Sequence, residues 1–193
     1  MEHDVSFHGQ MSDSFRAASF IILSGGFQDA YTYCCRGGVI ANAQTGNIVL
    51  LSHSLFSRQW ATALSYLIPL LAFASGILVA ELTRIKLQHT RVLHWRQIIV
   101  LAEILLLFVV GFFPQRLNLL ANAFVSFSCA MQVQTFRKVN GYGYASTMCI
   151  GNMRSGTDAF THWLVDHDPK TLKKSLHYFA VNLLFAVGAG LGS

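Results

Sequence analysis

Ten polar side chains stand apart in this sequence because the residues around them belong in hydrocarbon. Gln28, Asp29, Asn42, Gln44, Thr45 and Asn47 fall in or beside the stretch GGFQDAYTYCCRGGVIANAQTGNIVLL (25–51). Gln132, Asn152, Arg154 and Asp158 fall in or just after AMQVQTFRKVNGYGYASTMCIGNMRSG (130–156). Polar groups in a membrane-type sequence are costly, and two such islands imply a use for them. Amide side chains offer both a donor and an acceptor, and the glycines before Asn47 and Asn152 let the backbone present its own N–H and C=O groups. Together they suit a small polar solute, or they can replace an ion's hydration shell. Asp29 adds a proton or cation site, or a counter-ion for Arg154. Arg154 adds an anion contact, and a cation at membrane depth costs about 2.5–3.5 kcal/mol even on the mild insertion scale. Each has a plainer reading: a carboxylate satisfied by neighbouring hydroxyls such as Thr32, an i, i+4 pair of Arg154 with Asp158, and amides that only bond helix to helix.

Other chemistry is not written here. There is no H-E-x-x-H, no G-x-S-x-G and no P-loop, and no paired carboxylates at useful spacing. Gly188, Gly190 and Gly192 end an apolar run with no strand before them, which suits close helix packing better than a dinucleotide turn. Cys34, Cys35, Cys129 and Cys149 lack C-x-x-C spacing and read as packing thiols. His53, His162 and His177 sit near segment ends as interfacial histidines. Glu81 is structural, and Glu103, one turn into an apolar span, is accounted for by snorkelling. The expectation is therefore no enzyme, no cofactor and no metal.

The elements that must carry the polar groups follow from composition. The chain is 53% hydrophobic and only 12% charged, with mean hydropathy +0.44; soluble domains carry about 25% charged residues. The net charge of +5 lies between apolar blocks rather than on one face, so it sets topology and does not recruit nucleic acid. MEHDVSFHGQMSD lacks the basic region of a signal peptide. With about 20 apolar residues needed per span, the segments read as Ala17–Cys35 (with N-cap chemistry at Ser12-Asp13-Ser14), a short Val39–Phe56, Trp60–Leu82, Ile98–Phe113, Leu117–Phe136, a polar Tyr142–Val165, and Leu176–Ser193. Trp60, Trp95 and Trp163 fall at segment ends, as interfacial anchors should.

The order of features recurs. Leu64, Tyr66, Leu71, Phe73, Ala74 and Gly76 return at constant spacing as Leu176, Tyr178, Leu183, Phe185, Ala186 and Gly188. Gln28 followed by Gly46-Asn47 returns as Gln132 followed by Gly151-Asn152. One repeat unit covers about residues 14–83, a linking helix about 95–114, and a second unit about 117–193, all within a single membrane domain (1–193). Charge then bears on direction. If both islands cross, the basic residues other than Arg154, which lies within the second island, divide seven to six; if both dip in and return, ten to three, with Arg36, Arg58 and Arg116 alone outside. The positive-inside rule prefers the second arrangement, and broken backbone at depth is tolerated beside protein or a watery cavity. The second unit then runs opposite to the first, the plan of many transporters. A parallel repeat with fully crossing islands is the alternative.

GGFQDAYTY (25–33), ANAQTGNIV (41–49), LIPLLAFASGILVAEL (67–82) and MQVQTFRKVNG with STMCIGNMRSG (131–156) together resemble the YoaK-like family of uncharacterised bacterial inner-membrane proteins. The resemblance implies a helical, multi-pass protein of the inner membrane and no established activity. It also implies one or two further apolar segments, and the repeat likewise predicts the rest of the last span and a counterpart of Ile98–Phe113; either these lie beyond Ser193 or this member lacks that helix.

The expectation is an all-α, polytopic helical membrane protein with an inverted internal repeat and two short re-entrant polar segments. It is a small secondary transporter or channel-like protein for a small polar or ionic solute. Its partners are the lipid bilayer, that solute, no nucleic acid, and a second copy if it forms a homo-oligomer. A non-transporting scaffold or sensor subunit is the alternative.

Overall fold

Helix α1 (Phe15–Cys35) runs through Gly25-Gly26 without a break and stops where Gly37 and Gly38 take φ of 88° and 80°. It opens an all-α fold of seven α-helices among the described residues: α2 (Gln44–Phe56), α3 (Trp60–Leu87), α4 (Trp95–Gly111), α5 (Asn118–Thr135), α6 (Cys149–Asp166) and α7 (Pro169–Gly192). The computed structural model describes residues 15–88, 94–139, 142–143 and 147–193. A two-residue antiparallel ladder, β1 (Lys138–Val139) with β2 (Tyr142–Gly143), lies between α5 and α6. The expected cap at Ser12-Asp13-Ser14, and Arg91, lie outside the described residues.

Several boundaries differ from expectation, each for a local reason. Within the polar stretches Val39–Phe56 and Tyr142–Val165 the described helices begin at Gln44 and Cys149. Helix α3 runs past Leu82, the expected end of its span. Arg84 pairs with Glu81 one turn back, and charged neighbours at that spacing carry α3 on to Leu87. Helix α7 begins at Pro169 because Asp168 accepts the Lys170 N–H (2.9 Å) as N-cap, with proline in the first turn where a missing N–H costs nothing.

Small residues decide which helices touch. On α7, Gly188 lies against the Leu23 backbone of α1, and Gly192 against that of Phe27. Four residues forward on one helix match four forward on the other, so α1 and α7 are parallel. On α3, Gly76 lies against the Phe127 carbonyl and Ala130 of α5, while Glu81 reaches Gln134 (2.7 Å), so α3 and α5 are parallel too. Helices α1 and α5 cross antiparallel: Gln132 donates to the Ile21 carbonyl at one end, and Asn122 to the Arg36 carbonyl at the other. Gly188 stands to Gly76 as Leu176 does to Leu64, and Phe127 stands to Leu23 as Gln132 does to Gln28. The α3–α5 and α7–α1 contacts thus involve matching positions.

Helix α4 packs on α5 and α3, with Trp95 and Ile99 beside Ala80 and Met131 near one end and Val110 beside Ala121 and Val125 near the other. Helices α2 and α6 are the short ones. After α1, residues 39–43 turn back along it: Ala41 N–H donates to Thr32 Oγ1 (3.3 Å) and Asn42 Nδ2 to the Gly25 carbonyl (3.4 Å). Helix α2 therefore starts near mid-height and returns to the end where α3 begins. Helix α6 likewise starts near mid-height, its Cys149 carbonyl accepting from Asn182 (3.3 Å) halfway along α7. It runs antiparallel to α7, with Ser175 donating to the Gly156 carbonyl (2.8 Å).

These directions put Arg16, Arg84, Lys86, Arg96, Arg137, Lys138, Lys170, Lys173 and Lys174 toward one end of the bundle and Arg36, Arg58 and Arg116 toward the other. Between the ends the outer surface is apolar, with Phe20, Leu71, Leu78, Phe108, Val187 and Leu191 exposed. Among the described residues two helices, α3 and α7, are long and apolar enough to cross a membrane.

Candidate functional site

The returning leg after α1 brings the first polar island against Asp29. Its carboxylate, 9% exposed on α1, accepts the Asn42 N–H at 2.7 Å, just before α2 begins. A helix N-terminus carries unpaired N–H groups and partial positive charge. The carboxylate thus sits at the end of α2 that favours an anion. Residues Gln44 and Asn47 hold the leg: Gln44 Nε2 donates to the Ala41 carbonyl (2.6 Å), and Asn47 Nδ2 to the Ile40 carbonyl (2.8 Å) and Gln44 Oε1 (3.2 Å). Asn42 Oδ1 is buried without a hydrogen-bond partner among the described residues, and Thr45 is exposed.

The two repeated glutamines meet directly. Gln28 and Gln132 are 2% and 0% exposed, and Gln28 Nε2 lies 3.4 Å from Gln132 Oε1 where α1 crosses α5. The same nitrogen reaches Ser24 Oγ (2.9 Å) and Glu103 Oε1 (3.2 Å), and Gln28 Oε1 accepts from the Cys129 thiol (2.9 Å). Glu103 corrects an expectation: it does not snorkel. Position 103 falls on the α4 stripe shared with Ile99 and Val110, midway along the helix, so its side chain turns inward and is 7% exposed. The signal was available in the helical spacing of Ile99, Glu103 and Val110, but apolar residues on every face of α4 hide which face packs.

The second island opens on a cavity of about 450 Å³, lined by Val133, Gln134 and Arg137 of the α5 end and by Gly143, Met148, Gly151, Asn152 and Ser155 around the start of α6. Asn152 is buried in that first turn at 3% exposure, as Asn47 is in the first turn of α2 at 1%. Neither helix has a side-chain cap at its N-terminus. The start of α6, where the Cys149 carbonyl accepts from Asn182, and the start of α2, beside Gly25 and Asp29, thus both lie inside the bundle rather than at its ends. Arg154 and Asp158 go elsewhere. They lie on the face of α6 opposite Asn152 and Gly156, both are exposed, and neither takes part in an ion pair with the other or with Asp29 among the described residues. Two residues of helix is more than half a turn, which is why Asn152 and Arg154 cannot share a face.

Sequence reasoning also missed Arg36. It is 5% exposed at the end of α1 and donates to Tyr31 Oη (2.7 Å), the Phe113 carbonyl (2.9 Å), Asn118 Oδ1 (3.2 Å) and the Val110 carbonyl (3.2 Å). It thereby closes the C-terminus of α4, where unpaired carbonyls favour a cation. This is a clamp between helices, with its donors turned away from the polar islands.

Residues 17–193 match the family described as protein of unknown function (DUF1275). The chain belongs to this family. DUF1275 comprises the YoaK-like proteins that the sequence resembles. No curated protein and no solved structure matches the chain. The family places no chemistry on any residue, so function rests on the geometry around Asp29 and the two glutamines.

Proposed function

We propose that this DUF1275 protein is a multi-pass protein of the inner membrane that moves a small polar or ionic solute through a site between two inverted halves. The first half is α1–α3, the second α5–α7, and α4 links them. The observation that carries the reading is that two short helices, α2 and α6, both start inside the bundle, with buried Asp29 accepting the Asn42 N–H at the start of α2. Broken helices whose ends meet near the midplane between inverted repeats are the usual site of secondary transporters. Supporting the inversion are the antiparallel α1–α5 crossing, the matched glycine contacts on α3 and α7, and the direct approach of Gln28 to Gln132. Supporting the membrane are the apolar outer surface and the two helices of sufficient length. The crowding of Lys and Arg at one end supports a cytoplasmic position for that end.

In this site Asp29, Asn42 and the first turns of α2 and α6 contact the solute, Gln28 and Gln132 form its floor, and the cavity beside Asn152 and Ser155 is its way in from the basic end. The scaffold reading draws on a specific observation as well: Asn47 and Gln44 are satisfied within their own leg. A thermal-shift screen of the purified protein against ions and small metabolites separates the two. Solute-dependent stabilisation that disappears in Asp29→Asn and Asn152→Ala supports transport. Loss of stability in those variants, with no solute effect in the parent, leaves a scaffold.

A further inference from the structure

Glu103 is a carboxylate midway along α4, almost wholly buried, facing the crossing of α1 and α5. Among the described residues no Lys, Arg or His forms an ion pair with it. The basic residue of its own helix, Arg96, is two turns away at the helix start. The groups around it are largely neutral or acidic. Helix α1 contributes Gln28, Ser24 and Asp29; α5 contributes Cys129 and Gln132; and α3 has no titratable residue between Tyr66 and Glu81. A buried carboxylate without a cation must be neutralised to persist there, since an unpaired charge in a low-dielectric interior costs several kcal/mol.

We propose that Glu103 is the proton-carrying group of this protein. In one state of the site it holds a proton as the neutral acid, and in another it releases that proton to water and is left as the carboxylate. Its hydrogen-bond partner suits both states. Gln28 Nε2 donates to Glu103 Oε1 when the group is ionised, and the same amide, turned over, offers Oε1 to the acid O–H. Turning that amide also removes the donor from Gln132 and the acceptor from Cys129. Protonation on α4 is therefore felt at the contact between the two halves. Asp29 plays a different part, because its carboxylate is engaged by the Asn42 N–H at the start of α2. The inference rests on the solute site proposed above and adds what drives it.

The test is infrared difference spectroscopy of the full chain in lipid vesicles across a pH ramp. The expected result is a carboxylic-acid C=O band that appears on acidification, is lost in Glu103→Gln, and survives in Asp29→Asn. Glu103→Asp should retain the band at a shifted frequency, which guards against Glu103→Gln simply failing to fold. A band that persists in Glu103→Gln, or no titrating carboxyl anywhere in the pH range where the protein stays folded, overturns the proposal. So does a sodium titration that removes the pH response by occupying the group. Failure of the solute site is distinguishable: a screen with no stabilising solute, beside an intact Glu103 band, removes the site and leaves the proton group. Solute stabilisation that is independent of pH and unchanged in Glu103→Gln does the reverse.

Discussion

Replacing Gly188 by alanine tests how the two halves are held together. A Cβ at that position would press on the Leu23 carbonyl oxygen and come within 2.9 Å of the Leu23 carbonyl carbon and Cα. All three atoms are backbone, so no side chain can swing aside, and relief requires α1 and α7 to separate. Overpacking of this kind costs about 1–3 kcal/mol. Alanine also favours helix over glycine by about 1 kcal/mol, which would mask part of the loss. Gly190, on the same helix, has open space around its would-be Cβ and reports that propensity gain alone. The quantity to measure is thus the difference between Gly188→Ala and Gly190→Ala, expected to be about 1–3 kcal/mol. Equilibrium unfolding in mixed micelles of mild detergent and SDS reads it. Gly76→Ala meets the same kind of obstruction from the Phe127 carbonyl and should match Gly188→Ala. If Gly188→Ala and Gly190→Ala agree within about 0.5 kcal/mol, the ordinary scatter of independent sites, the close helix contact and everything built on it are refuted.

Other perturbations read other parts of the fold. Arg36→Leu strips donors from two carbonyls, an amide oxygen and a phenol, and should cost about 2–3 kcal/mol in the same assay. Arg36→Lys should recover less than half of this, because an ammonium cannot reproduce the guanidinium fork. In a background with Cys34, Cys35, Cys129 and Cys149 replaced by serine, a cysteine at Arg58 should react with an impermeant maleimide from outside intact cells. A cysteine at Lys173 should react only after permeabilisation; equal labelling of the two would mean that α6, which lies between them, crosses the membrane. Gly46→Ala and Gly151→Ala meet no atom within 4 Å, so unfolding should leave them near parental stability. A diminished solute response in either variant would then locate the solute at the helix starts.

Much of this architecture was legible in the chain. Gly37-Gly38, Pro114 and the tryptophans mark real helix ends, and the recurrence of Gly76 as Gly188 marks two positions where a helix lies against a neighbour's backbone. Gln28 and Gln132, matched by spacing alone, are in contact. What the sequence withheld were directions perpendicular to a helix. The α4 sequence is apolar on all sides, so spacing could not say that Glu103 points inward. Arg154 read as a site residue because of its neighbours in the chain, yet the turn of α6 carries it to the far face from Asn152. Arg36 passed as one more topology-setting charge, since its acceptors are main-chain carbonyls that no residue type announces.

Helices α3 and α7, matched in spacing at Gly76 and Gly188, differ in stiffness. Pro69 lies inside α3, buried, at the position matched on α7 by Val181. The proline has no N–H for the carbonyl one turn back, a missing rung that neighbouring helices or water must make good. Val181 keeps its rung. Bending is therefore cheaper in α3 than in α7, and any rocking of one half against the other would begin at the height of Pro69.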